Sequence, residues 1–173
     1  MTDLTHFSVQ TIFVWIVGFL IMEFPMRYIY LNIENNEQLK IWYDFEYFNI
    51  YNVIIADLFY MLVGLIIAFR IYYALFGKDI NIFKFFAVFW IVQMVGDVCF
   101  YLVVSNLPED KQNKWTRFFT NYGRVAGINA VLGDSIYILV WTLTTFMIKS
   151  LPIDMLSCIM FFAIFAISGI AEK

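Results

Sequence analysis

Five stretches of the chain stay apolar long enough to cross a bilayer, and polar residues bound each of them. They cover residues 8–31, 50–76, 80–104, 125–148 and 151–170. About 20 helical residues span about 30 Å of hydrocarbon. Lipid offers no partner for a free N–H or C=O, so a spanning segment is a helix or part of a closed barrel. Period-2 alternation is absent, which removes the barrel. The pattern predicts an all-α fold, a polytopic membrane helical bundle with about five transmembrane helices. Residues 1–173 form one integral membrane domain.

The polar punctuation is uneven. At residues 76–79, Gly77 reads as a helix stop and Asp79 as the N-cap of the next span. At residues 149–152, Lys149, Ser150 and Pro152 supply a C-terminal cation, a cap and an early-turn proline. Both read as tight antiparallel hairpins on one face of the membrane, called Y. The N-terminus lies on the same face. The opposite face, X, carries two longer connections. Residues 32–49 mix Glu34, Glu37, Asp44 and Glu46 with Trp42, Tyr43, Phe45, Tyr47 and Phe48, as an aromatic belt at the headgroup level does. Residues 105–124 place Trp115, Phe118, Phe119 and Tyr122 at helical spacing, with Lys114, Arg117 and Asn121 between them. That segment reads as a short interfacial amphipathic helix.

Composition narrows the class. The chain is 62% hydrophobic and 14% charged, against roughly 45–50% and about 25% for a soluble domain. A soluble fold of this length could not cover that much apolar surface. Net charge is −3, and without a basic tract there is no nucleic-acid footprint. Cys99 and Cys158 lie in apolar runs and read as small buried hydrophobes. The single histidine, His6, is in the N-terminal tail. This argues against a histidine-based triad or metal site, and the sequence implies no cofactor and no catalytic residue. The N-terminus lacks the basic n-region of a signal peptide, so the first run reads as a mature span. Lysine and arginine fall seven on face X and four on face Y. That bias makes X the cytoplasmic face and the N-terminus non-cytoplasmic.

Three spans repeat one pattern, small-Asp-x-x-aromatic-x-Leu-Val. It occurs as Ala56-Asp57 to Val63, as Gly96-Asp97 to Val103, and as Gly133-Asp134 to Val140. Successive spans run antiparallel, so the three aspartates all lie toward face X. Glu23, late in the first span, joins that level. A carboxylate inside a bilayer costs about 2.5–3.5 kcal/mol on insertion scales. Four at one depth are expected to face one another. Tyr60 and Tyr137 follow their aspartates by three residues, and Gln93 precedes Asp97 by four. Arg27 is placed to pair with Glu23 across Pro25, a residue that kinks helices. Asn129 and Ser135 add polar groups. Gly123, Ala126, Gly127, Ala130 and Gly133 give the fourth span a thin packing face with one Gly-x-x-x-Gly.

These residues fit three functions. Clustered carboxylates suit a proton or cation channel, transporter or sensor, with Asp57, Asp97, Asp134 and Glu23 as the site. A chain this short would form a pore only as a homo-oligomer. Alternatively, the buried polar groups only hold helices together in a structural or assembly protein of the bilayer. Third, Asp97 and Asp134 on adjacent spans resemble the paired aspartates of intramembrane aspartyl proteases. Met94 and Val131, however, stand where that group's Gly-x-Gly-Asp has its first glycine.

One stretch carries a family resemblance. Leu107-Pro108, Lys114-Trp115-Thr116-Arg117-Phe118-Phe119, Asn121-Tyr122-Gly123 and Gly133-Asp134-Ser135 recur in order before Trp141. The segment resembles small multi-pass proteins of uncharacterised function from large algal and protist DNA viruses. The resemblance implies a viral or infected-host membrane and brings no site residues.

Overall fold

The computed structural model describes residues 8–32, 37–42 and 47–171, and these are helical throughout apart from short connections. Seven helices follow in order: α1 (Val9–Asn32), α2 (Glu37–Trp42), α3 (Ile50–Phe76), α4 (Ile82–Ser105), α5 (Lys114–Ala126), α6 (Ile128–Ile148) and α7 (Ile153–Ala171). A 3-10 turn at Glu109–Lys111 precedes α5. Four helices, α1, α3, α4 and α6, are long and apolar enough to cross a membrane. The expected fifth span corresponds to α7, whose apolar stretch Ile153–Gly169 is shorter.

Capping shows why each helix starts and stops where it does. Ser8 Oγ accepts from Thr11 N at 3.1 Å and opens α1. Helix α1 then continues through Pro25. Gly77, with φ of 79°, ends α3 in a conformation that favours glycine. The next cap is Asn81 rather than the expected Asp79, because its side chain accepts from Phe83 N and Lys84 N. Tyr72 closes this hairpin: its hydroxyl donates to Asp79 O and accepts from Asn81 N. In the second hairpin Pro152 O accepts from Leu156 N, so Pro152 occupies the cap position expected of Ser150.

The expected fourth span divides in two. Asn113 and Thr116 form a reciprocal capping box at the start of α5. At Gly127, φ is 51° and the helix breaks. Gly123 therefore belongs to α5 and Gly127 to a hinge with open space where a side chain would be. The Gly-x-x-x-Gly is not a packing face of a spanning helix. Gly123 instead lets Tyr101 lie against α5.

Helix α3 packs on α4, α4 on α6, α6 on α1 and α1 on α7. Tyr51 Oη and Ser168 Oγ, 3.3 Å apart, join the start of α3 to the end of α7 at face X. The main core lies between α1, α3, α4 and α6, with Ile167 of α7 added at its edge. Trp15 is its hub, with ring centroids 5.1 Å from Trp141, 5.7 Å from Phe85, 6.1 Å from Phe89 and 6.2 Å from Phe69. Most of these pairs are edge-to-face, the arrangement aromatic quadrupoles favour. Trp141 Nε1 also donates to Trp15 O at 2.8 Å. Lipid is as apolar as the side chains, so close packing rather than hydrophobic burial holds such helices together.

A second core sits at face X. Trp42, Phe48, Val53 and Phe118 are buried, and Trp115, Phe119 and Tyr122 pack around them. Trp42 stacks on Phe118 with centroids 4.8 Å apart. The aromatic residues expected as a headgroup belt thus include two, Trp42 and Phe48, that are buried in protein. Helix α5 likewise turns its apolar face onto this cluster, not into lipid. Glu34, Tyr43, Asp44, Phe45, Glu46 and His6 lie outside the described residues. Cys99 and Cys158 are exposed on the helix surface rather than buried.

Candidate functional site

The carboxyl groups gather at one level, as helix polarity requires. Asp57 is early in α3, Asp97 late in α4, Asp134 early in α6 and Glu23 late in α1. Each is displaced from the bundle's middle toward face X. The aromatic hub occupies the other end of the same four helices.

Between α4 and α6, the carboxyl groups of Asp97 and Asp134 lie near enough to interact. Tyr60 Oη donates to Asp97 Oδ1 at 2.6 Å, and Gln93 Nε2 donates to the same oxygen at 3.1 Å. Asp97 Oδ2 is buried and has no protein donor. Only small residues permit this approach. A side chain at Gly64 would strike Gln93 Oε1, and one at Gly96 would crowd the Tyr60 hydroxyl.

Asp57 interacts electrostatically with Glu23, Arg27 and Asp134. It accepts from Trp42 Nε1 at 3.3 Å, which ties it to the face-X aromatic cluster. Glu23 and Arg27 form a fully buried ion pair one helical turn apart, with Nη2 and Oε1 separated by 2.6 Å.

Three expected partners lie elsewhere. Tyr137 does not reach a carboxyl group; its hydroxyl is buried without a hydrogen-bond partner, and its ring packs on Phe19. Ser135 accepts from Trp90 Nε1 at 2.6 Å and donates to Val131 O at 2.6 Å, one helix face away from Asp134. Asn129 is exposed in the first turn of α6. Tyr60 does not serve the aspartate of its own helix, since its hydroxyl crosses to α4. The donor from Trp42 to Asp57 was not foreseen. Its only sequence signal is a tryptophan in the connection that faces the buried carboxylates.

Among the described residues no three carboxylate, thiol or imidazole groups lie close enough to hold a metal ion. A hollow lined by Val9, Gln10, Phe13 and Ile153 lies at the face-Y end, remote from the carboxyl groups. No protein-family model, curated protein or solved structure matches the chain. Its four long apolar helices make it an integral membrane protein by architecture.

Proposed function

We propose that this membrane protein handles protons, with Asp97 and Asp134 as the exchanging pair. The observation that carries this reading is the hydrogen-bond balance of the pair. Tyr60 and Gln93 both donate to Asp97 Oδ1, as they would to a carboxylate. Asp97 Oδ2 is buried and lacks a donor, and the Asp134 carboxyl group is near enough to interact with Asp97. Two ionised carboxylates in contact would repel strongly at low dielectric. One proton held between them turns the repulsion into a hydrogen bond, as in other carboxyl dyads. Asp134 carries that proton toward Asp97. Asp57 on α3 links the pair electrostatically to Glu23 and Arg27 on α1.

The test is proton flux into vesicles containing the purified protein, driven by a pH gradient and read with an enclosed pH dye. Wild type is expected to exceed protein-free vesicles. Asp134→Asn is expected to return flux to the protein-free leak, because an amide cannot release the shared proton. Tyr60→Phe should reduce flux less. Flux absent in wild type, or indifferent to both Asp97→Asn and Asp134→Asn, would leave the pair a structural clasp between α4 and α6. The pairing of two aspartates on adjacent helices also favours a second reading, an intramembrane aspartyl protease. Cleavage of a membrane-spanning substrate that is lost in both variants would establish it.

A further inference from the structure

We infer that helix α5 and the outer face of α6 form a binding surface for anionic phospholipid in the face-X leaflet. The inference rests on charge and on the position of that charge beside lipid-facing surface.

From Lys111 to Gly133 the chain carries Lys111, Lys114, Arg117 and Arg124 and no acidic residue. At about 100° per residue, Lys114, Arg117, Asn121 and Arg124 share an arc of about 80° on α5. Trp115, Phe118, Phe119 and Tyr122 take the opposite side and fill the face-X core. The polar stripe lies on the exposed side of α5. Arg117 and Arg124 are exposed and make no ion pair among the described residues. Lys114 is anchored by donating to Tyr47 O at 2.8 Å, and its ammonium lies 5.4 Å from the centre of the Phe48 ring. The nearest acids in sequence, Glu109 and Asp110, sit in the preceding 3-10 turn, before the helix begins.

The second half of the surface begins where the stripe ends. Ile128, Leu132, Ile136, Leu139 and Leu143 recur at steps of three and four along α6, and all are exposed. Val125, 67% exposed, connects that apolar stripe to Arg124. Cations at the headgroup level above a continuous acyl-facing stripe match one ligand type, a phosphate-bearing lipid with net negative charge. Arginine suits the phosphate because its fork donates two parallel hydrogen bonds. On face Y, Lys78 is followed by Asp79, Lys149 lies five residues before Asp154, and Arg70 and Lys84 stand on separate helices, α3 and α4, rather than in one stripe.

The full chain in phosphatidylcholine vesicles tests this with nitroxide-labelled lipids and electron spin resonance. The readout is the fraction of label immobilised at the protein surface. Labelled phosphatidylglycerol is expected to outcompete labelled phosphatidylcholine by up to about fivefold for one engaged cation. The preference should shrink as salt rises. The Arg117→Gln/Arg124→Gln variant should bring it near unity, while Arg117→Lys/Arg124→Lys keeps most of it. Both arginines are exposed, so circular dichroism should show unchanged helix content. Equal immobilisation of the two lipids by wild type would overturn the inference. So would an equal loss of preference in Lys78→Gln/Lys149→Gln, which would indicate surface charge in general. Displacement of the labelled lipid by soluble glycerol phosphate would overturn the lipid assignment in favour of a free phosphate ligand.

Discussion

The two ends of one four-helix bundle are built by different rules. Toward face Y, α1, α3, α4 and α6 meet through Trp15, Phe19, Phe69, Phe85, Phe89 and Trp141. Toward face X the same helices meet through Glu23, Arg27, Asp57, Asp97 and Asp134. The aromatic end is held by shape, so each side chain matters through the volume it fills. The carboxyl end is held by pairing, so each group matters through what its removal leaves behind. An aromatic hub locks the bundle at one end. That leaves the other end free to keep costly groups in place without those groups also having to supply the packing.

The sharpest test breaks one member of a pair. Arg27→Met should destabilise by about 3–5 kcal/mol, because it strands a buried Glu23 carboxylate. Adding Glu23→Gln should recover most of that loss. Unfolding in mixed micelles, followed by circular dichroism, measures both. Failure of the double variant to recover would mean that the pair acts by volume, like the aromatic end. At the other end Trp15→Ala should cost about 3–5 kcal/mol through the cavity it opens. No polarity change at a neighbour should relieve it.

Smaller effects separate the two ends more finely. Tyr60→Phe removes a donor to Asp97 and should cost about 1.5–3 kcal/mol. Tyr137→Phe removes a hydroxyl that has no partner, so its effect on the same unfolding curve should be near zero or slightly stabilising. Equal losses in the two variants would erase the distinction. Gly18→Ala places a methyl against Thr145 Oγ1 and should cost about 1–3 kcal/mol by overpacking. Thr145→Ala should relieve it in part, because the Thr145 Cα and Cβ remain close.

Much of this was legible along the chain, and the misses share a cause. Hydropathy located the long helices to within a few residues, and alternating polarity put Glu23, Asp57, Asp97 and Asp134 on one level. The i to i+4 pairs Glu23–Arg27 and Gln93–Asp97 also followed from spacing. What spacing could not supply was rotation between helices. Tyr60 sits one turn from Asp57 yet serves Asp97, because α3 packs on α4 and the Tyr60 hydroxyl reaches across to it. Ser135 adjoins Asp134 yet serves Trp90, since successive residues on a helix point about 100° apart. The apolar side of α5 was visible, but whether lipid or protein covers it depended on where Trp42 and Phe48 lie.

The sequence by itself determined that this chain is a helical membrane protein with acids at one depth, because hydrocarbon thickness and helix rise convert residue number into height. Tertiary structure alone decided which acids touch, which tyrosine serves them and which face of α5 looks outward. Those outcomes depend on the angle at which each helix meets its neighbour. That angle comes from close packing at Gly64, Gly96, Gly123 and the Trp15 hub, contacts between residues far apart in sequence that no local pattern encodes.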